Sequence, residues 1–97
     1  MKIEEIRNQE NLDVKLHGRL DTVTAPELEK RMEGSLDGIT KLRMDFQDLE
    51  YVSSAGLRVL LALSKKMNGG MVVCKVNEEV MEVFRITGFT NVLVIET

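Results

Sequence analysis

The sequence predicts an α/β fold: one mixed β-sheet of about five strands with three main helices packed on it, in the order ββαβαβαβ. Segments in which polar and apolar residues alternate, or in which apolar residues run together, are typical of strands. They are separated by segments in which apolar residues recur every three or four positions, as in helices. Strands joined through a helix are expected to be parallel, with right-handed crossovers. The chain has 97 residues, 43% of them hydrophobic, so residues 1–97 are expected to form one domain with a small core.

The first two predicted strands form an antiparallel pair. Residues 11–16 alternate between apolar and polar side chains, as in a strand with one buried face. The more polar residues 1–7 are expected to form a strand that pairs with it across residues 8–11. The alternation stops over residues 18–23, which are predicted to lead into a helix.

The first predicted helix begins at a capping box. Thr24 is expected to cap it, Glu27 to complete the box, and Pro26 to occupy the first turn, where its missing N–H has no cost. The helix is expected to end before Gly38. Its inward stripe repeats every four residues and consists of Leu28, Met32 and Leu36.

A strand, an apolar helix and a second strand are predicted for the middle of the chain. Residues 41–46 alternate again, which indicates a half-buried strand. The helix is predicted over residues 54–67 and is so apolar that it should be covered on most sides. Asn68 and the two glycines after it would end this helix. The apolar residues 71–76 are expected to form a central strand buried on both faces.

The third predicted helix begins at an Asn77 cap. It ends at Gly88, which suits a left-handed helix end, and Phe89 supplies the hydrophobic contact that often closes such an end. Residues 92–95 are predicted to form a short last strand. The inner stripe of the helix is expected to contain Val80, Val83, Phe84 and Thr87.

Charge and hydropathy argue against nucleic acid and membrane partners. Thirteen Lys and Arg against sixteen Asp and Glu give a net charge of −3, and the longest basic block is Lys65-Lys66, near a predicted helix C-terminus. There is no apolar run of membrane-spanning length and no basic-then-apolar leader. We therefore expect a protein of the reducing cytoplasm, in which the single Cys74 is a small buried hydrophobe.

The sequence contains few residues that could together form a catalytic or metal-binding site. Serine catalysis needs a base, and the one histidine, His17, is expected to be a half-exposed residue at the end of a strand. Asp45 and Asp48 bracket another strand end, where Asp48 is expected to stabilise a turn. One His, one Cys and scattered carboxylates predict neither a metal site nor a cofactor site. The domain is not expected to be an enzyme.

The most informative segment is residues 49–58, where two serines stand between a strand and a helix. Ser53 and Ser54 lie beside backbone N–H groups that have no partner within the helix, and these groups together with the helix dipole favour an anion. The local sequence leaves two uses open. A serine here can cap the helix, which stabilises it by about 1 kcal/mol. It can also accept a phosphate, whose charge of about −1.5 to −2 would change what the surface binds.

Three motifs, spread over nearly the whole chain, carry a family resemblance. The first is residues 18–21 with Ala25, the second is the serine loop at residues 49–57, and the third is residues 69–74 with the Phe and Gly-Phe pattern of residues 84–89. With these motifs the chain resembles the STAS domain, and specifically the small bacterial anti-sigma factor antagonists. The resemblance implies a single STAS-like domain.

The resemblance also implies a mechanism. In such proteins the dephosphorylated antagonist binds an anti-sigma factor that is also an ATP-dependent serine kinase, and this releases a sigma factor. The kinase phosphorylates the loop serine and lets the antagonist go, and a metal-dependent serine phosphatase restores it. The family's phosphoacceptor corresponds to Ser54 here. Ser53 is the alternative acceptor, since it stands where sporulation-type members carry an aspartate.

The partner surface and the alternative role follow from the same resemblance. The protein is expected to be a monomer or a weak dimer, and the alternative is an unphosphorylated STAS module that serves as a scaffold or senses a ligand. The residues expected to contact the anti-sigma factor are Asp21, Thr22, Ser53, Ser54, Ala55, Gly56 and Arg58.

Overall fold

The computed structural model describes residues 1–96, which contain five strands and three helices in the predicted order. A short 3-10 turn at Phe89–Asn91 precedes the last strand. The elements are β1 (Lys2–Asn8), β2 (Asn11–Leu20), α1 (Ala25–Ser35), β3 (Lys41–Val52), α2 (Ser54–Met67), β4 (Met71–Cys74), α3 (Glu78–Thr87) and β5 (Val94–Glu96).

The five strands form one mixed sheet with the spatial order β1-β2-β3-β4-β5. β1 pairs with β2 in an antiparallel hairpin, as predicted, and every other neighbouring pair is parallel. The carboxyl ends of β2, β3 and β4 therefore lie along the same edge of the sheet. At this edge the chain enters α1, α2 and α3.

The core lies on one face of the sheet. Over residues 12–16 of β2 and 42–46 of β3 every second residue is buried, and the register places Leu12 beside Leu42 and Val14 beside Met44. The apolar stripes of all three helices join the same cluster. The opposite face is open and carries ion pairs such as Arg43 with Glu96.

The prediction for residues 71–76 is therefore wrong in two respects. β4 ends at Cys74 and lies between β3 and the short β5, next to the edge of the sheet. Met71 and Val73 are buried, but Val72 is half-exposed because no helix covers the open face. A continuous apolar run does not reveal which face of the sheet has a cover. Cys74 is buried, as predicted.

Strands β2 and β3 are longer than predicted because bulges interrupt their alternation. β2 continues to Leu20 and β3 to Val52, with irregular register between Lys15 and His17 and again after Gly18. The prediction that Asp48 stabilises a turn at a strand end is wrong, since Asp48 lies within β3. A bulge places two residues opposite one, so a strand that contains one loses its period of two.

The predicted helices differ from the observed ones mainly in their exposed sides. α2 spans the predicted residues and ends in a left-handed Asn68, but Ala62 is exposed, so this helix is covered less than expected. α3 begins at the Asn77 side-chain cap and ends at a left-handed Gly88, as predicted. Val80 and Phe84 are buried, whereas Val83 is half-buried and Thr87 is exposed. Thr87 instead donates its hydroxyl to a backbone carbonyl of its own helix.

Candidate functional site

The candidate site consists of two short connections at the carboxyl edge of the sheet. The turn at residues 21–24 follows β2, and Ser53 alone connects β3 to α2. The register pairs Leu20 with Val52, and the backbone N–H of Ser53 donates to the Leu20 carbonyl oxygen at 2.9 Å. The structure thus brings together the two segments that the sequence marked separately.

The turn after β2 is held by Asp21 and not by the predicted capping box. Asp21 Oδ1 accepts the backbone N–H groups of Val23 at 3.0 Å and of Thr24 at 3.1 Å. Thr24 has helical backbone angles, and its hydroxyl donates to the Arg19 carbonyl oxygen at 2.7 Å. The prediction that Thr24 and Glu27 form the cap is wrong, because Thr24 already has helical backbone angles and its hydroxyl contacts the Arg19 carbonyl instead of an N–H of the helix.

The charge of Asp21 is stabilised by these contacts. The pKa of its carboxyl group lies below the usual value of 3.8, chiefly because it accepts the Thr24 backbone N–H, with the Val23 N–H adding to the effect. Arg19, whose Nε lies 3.8 Å from Asp21 Oδ2, lowers this pKa further. Asp21 is thus an ionised structural residue of the turn, half-buried beside the serine loop.

The two serines have different environments. Ser53 has an extended backbone, and its Oγ accepts the Gly56 backbone N–H at 3.2 Å, so Ser53 is the N-cap of α2. Ser54 is the first residue of the helix and is exposed. None of the side-chain hydrogen bonds found within residues 1–96 involves the Ser54 hydroxyl. The choice between the two serines as the cap, which the local sequence left open, is settled by this geometry in favour of Ser53.

Gly56 permits α2 to begin close to the sheet. A Cβ at this buried position would lie 2.7 Å from Leu20 Cγ, 2.9 Å from the Leu20 carbonyl oxygen and 3.0 Å from Val52 Cγ2. Real Cβ atoms essentially never approach other atoms within 3.0 Å, so a larger residue would displace the helix. Because Gly56 has no side chain, the start of α2 can lie close to Leu20 and Val52. The Ser54 side chain, in contrast, is exposed to solvent.

A shallow groove between α1 and α2 continues the surface next to the serines. Thr22, Ala55 and Arg58, all three expected at the partner surface, line it together with Pro26 and Glu29. None of the ion pairs within residues 1–96 involves Arg58, which is exposed. The groove thus combines apolar side chains with an arginine available for an acidic group.

Three exposed residues near the loops were missed by the sequence reasoning. Val23, at the tip of the first turn, is 82% exposed although it is apolar, and its backbone is fixed by Asp21. Arg19 stacks over the Tyr51 ring, with its guanidinium carbon 4.2 Å from the ring centroid. The parallel register that pairs Arg19 with Tyr51 could have revealed this contact, but only once the bulge after Gly18 is known.

The remaining candidate groups lie on the open face of the sheet. His17 is half-exposed, as predicted, although β2 continues beyond it, and it contacts Glu4 and Asp48. No three His, Cys, Asp or Glu side chains within residues 1–96 are arranged to hold a metal ion. Over the same residues, none of the helices has the length and apolar character that a membrane crossing requires.

Comparison with known proteins identifies the class of this domain. The model of the STAS domain family matches residues 2–97. The chain belongs to the STAS domain family. A candidate anti-sigma factor antagonist of Bordetella bronchiseptica, BtrV, is 36% identical over 81 residues, which are 79% of this chain and 70% of BtrV.

Further relatives point to the same group within the family. The anti-sigma-B factor antagonist of Bacillus subtilis is 26% identical over 90 residues, covering 90% of this chain and 83% of that protein. The structure of unphosphorylated SpoIIAA, an anti-sigma factor antagonist, superposes with a TM-score of 0.76 at 14% identity, covering 99% of this chain and 88% of that one. Phosphorylated SpoIIAA from Bacillus gives a TM-score of 0.74 at 16% identity, with 99% and 92% covered. The two SpoIIAA structures show that the fold is shared, and the names of these relatives describe regulators and not enzymes.

Proposed function

We propose that this protein is an anti-sigma factor antagonist that binds an anti-sigma factor when Ser54 is unmodified and releases it when Ser54 is phosphorylated. The observation that carries the proposal is the division of roles between the two serines. Ser53 caps α2, so its hydroxyl is engaged, whereas Ser54 presents an exposed hydroxyl at the first turn. A kinase can reach Ser54 without breaking the cap.

The helix end explains how the domain accepts the modification. A phosphate at the first residue of a helix lies beside backbone N–H groups and the positive end of the helix dipole, both of which favour an anion. The fold should therefore persist, while the surface gains a charge of about −1.5 to −2. A partner that places an acidic or apolar patch on this surface would meet repulsion and a desolvation cost.

We infer the partners from the family to which the chain belongs. The binding partner is an anti-sigma factor with ATP-dependent serine kinase activity, and a metal-dependent serine phosphatase resets the switch in the cytoplasm. The partner surface consists of the Asp21 turn, the serine loop and the groove that Arg58 lines, with the antagonist acting as a monomer or weak dimer. A kinase gene of this type beside the gene for this protein would identify the pathway.

Replacement of Ser54 by Asp tests the switch directly. Ser54→Asp should weaken binding to the purified anti-sigma factor kinase by at least about tenfold, equivalent to about 1.4 kcal/mol, because it places a negative charge on the docking surface. Ser54→Ala should bind but remain unphosphorylated when mass spectrometry follows incubation with the kinase and ATP. Titration calorimetry measures the affinities.

The matched control is Ser53→Asp, which adds the same charge one residue earlier. Aspartate is as good an N-cap as serine, so its carboxylate should accept the Gly56 N–H at the helix end, α2 should keep its start, and binding should weaken less than with Ser54→Asp. Tight binding by Ser54→Asp would contradict the proposal. A wild-type protein that gains no phosphate on its Ser53–Ser54 peptide would favour the unphosphorylated scaffold instead.

We propose that Arg58 attracts an acidic group on the partner. It lies four residues after Ser54, so both side chains occupy the same helix face, and a phosphate on Ser54 would offset the arginine's charge. Arg58→Glu should weaken binding and reduce its salt dependence, chiefly by slowing association. Lys66→Glu, eight residues further along α2 and thus about 12 Å away, makes the same charge change outside the surface and should bind normally. Stopped-flow association rates at two salt concentrations distinguish the two variants.

A further inference from the structure

Strand β1 forms a long outer edge of the sheet. It is the last strand on its side, and its ladder with β2 runs over Lys2–Asn8 without a shift in register. None of the backbone hydrogen bonds formed outside the ladders and helices of residues 1–96 involves residues 2–8. The opposite edge is shorter, because β5 spans only Val94–Glu96. A long and regular edge such as β1 is a template on which another strand can pair.

The side chains of β1 alternate between the two faces of the sheet. Glu5 and Arg7 lie opposite the buried Val14 and Leu12, so both are on the helix side. Ile6 lies between them on the open side and is 69% exposed although it is apolar. β1 therefore presents a carboxylate, an isoleucine and a guanidinium at three successive positions.

The two charged side chains are held in place by neighbouring segments. The Glu5 carboxylate accepts the Nε–H of Arg31, which belongs to α1. Arg7 donates from Nη2 to the Asp37 carbonyl oxygen at 3.0 Å and from Nε to the Gln9 carbonyl oxygen at 3.3 Å. A guanidinium has more N–H donors than these two, and a carboxylate can accept more than one donor. Both side chains therefore keep capacity for a further group of opposite charge.

We propose that two copies of this chain associate by antiparallel pairing of their β1 strands, with the two-fold axis at Ile6. In this arrangement Ile6 lies opposite Ile6 of the second copy on the open side. Glu5 of each copy lies opposite Arg7 of the other copy on the helix side, and the symmetry forms this oppositely charged pair twice. The two five-stranded sheets join into one continuous sheet.

The charges of β1 select this register over the others. Residues that lie opposite each other in an antiparallel pair share a face, so the axis must pass through a residue and not between two. A charged residue on the axis would lie opposite its own copy, and like charges in this position are destabilising. Among the uncharged positions, Ile3 on the axis would pair only residues 2–4, and Asn8 would pair only with its own copy. Ile6 on the axis pairs residues 4–8.

This interface lies away from the candidate functional site. Ile6 is opposite Asp13, which pairs with Arg43 near the start of β3. Ser54 follows the far end of the same strand. The dimer should therefore form whether or not Ser54 is modified, and its test does not depend on the proposed function.

Sedimentation velocity over a series of protein concentrations tests for the dimer. Pairing over residues 4–8 covers much less than the roughly 1,600 Å² of a standard interface, so the dimer should be weak but detectable below about 1 mM protein. Ile6→Lys places two ammonium groups opposite each other and should raise the dissociation constant about fivefold or more. The matched control is Ile86→Lys, which makes the same change at a 76% exposed isoleucine of α3 and should dimerise like wild type.

Disulfide formation between single cysteines locates the axis. Opposite Cα atoms in an antiparallel pair are about 4.5–5.5 Å apart, which lies within the range that a disulfide spans. With oxidised glutathione as the oxidant, Ile6→Cys should therefore form a covalent dimer several-fold faster than the equally accessible Ile86→Cys. The native Cys74 is buried in both proteins.

Three results would overturn the proposal. The first is a wild-type protein that remains monomeric at about 1 mM. The second is a dimer that Ile6→Lys leaves intact, or equal disulfide formation by the two cysteine variants. The third is loss of the dimer in Ser54→Asp, which would place the interface at the serine loop.

Discussion

Two adjacent serines with identical side chains occupy different environments at the start of α2. Ser53 is outside the helix with an extended backbone, so its hydroxyl reaches the Gly56 N–H, whereas the helical backbone of Ser54 directs its side chain outward. The local sequence predicts that one of them is a cap but does not identify which one, because the answer depends on where the first helical turn closes. The same limit explains the incorrect Thr24 cap, since Thr24 already lies in the first helical turn of the backbone and makes no side-chain cap.

Asp21 gives the first prediction for a single side chain. Its pKa is lowered by hydrogen bonds that exist only in the folded turn, so its stabilising contribution is present above the usual value of 3.8 and is lost as pH falls through the lower folded value. Asp21→Asn keeps an acceptor oxygen but cannot ionise. We expect a lower denaturant midpoint than wild type at pH 7, and a difference that shrinks as the pH falls below 3.8.

The control for this prediction is Asp37→Asn, which makes the same change at an exposed position after α1. Within residues 1–96 the Asp37 carboxylate makes no hydrogen bond, so its replacement should leave the denaturant midpoint at pH 7 unchanged. A constant difference between wild type and Asp21→Asn at all pH values would show that the charge of Asp21 does not stabilise the turn.

Helices were more predictable from the sequence than strands. The bounds of α2 were predicted correctly, because its apolar repeat and the Asn-Gly-Gly stop are both local signals. β2 and β3 were predicted too short, because their bulges depend on how neighbouring strands pair. The convergence of the Asp21 turn and the serine loop could be predicted from the parallel topology. The groove, the exposed Val23 and the cap at Ser53 could not, since they depend on packing between α1, α2 and the sheet.

The close approach of α2 to the sheet predicts opposite effects for two Gly→Ala substitutions in helices. At Gly56 a methyl group would collide with Leu20, so Gly56→Ala should destabilise the protein by about 1–3 kcal/mol despite alanine's better helix propensity. At Gly34, in α1, nothing lies within 4 Å of the added Cβ. Gly34→Ala should therefore stabilise the protein by about 0.5–1 kcal/mol. Thermal and denaturant unfolding measure the stability of both variants. If the two substitutions changed stability in the same direction, the packing argument would be refuted.

The molecule as a whole has one covered face and one open face of its sheet. The sequence predicted helices on the sheet but placed residues 71–76 at its centre, because a continuous apolar run fits a strand covered on both sides. Two adjacent valines of β4 therefore differ in burial: Val73 is in the core, and Val72 is half-exposed on the open face.

This asymmetry predicts a difference between two otherwise identical substitutions. Val73→Ala should lower the free energy of unfolding by about 2 kcal/mol, since it removes buried methyl groups and leaves a cavity. Val72→Ala should lower it by no more than about 1 kcal/mol, because surface changes away from the core are small. Urea unfolding of the two variants measures both values. Equal losses would mean that the open face is covered in solution.

The connection between β3 and α2 is a single residue, and this brevity has a consequence for signalling. The central strand runs directly into the helix that carries Ser54, the phosphoacceptor that we propose, so this serine is held close to the sheet. The phosphorylation that we propose would then change the charge of this surface without moving it. A fluorescent probe of loop motion should remain silent on phosphorylation, while a probe of complex formation responds.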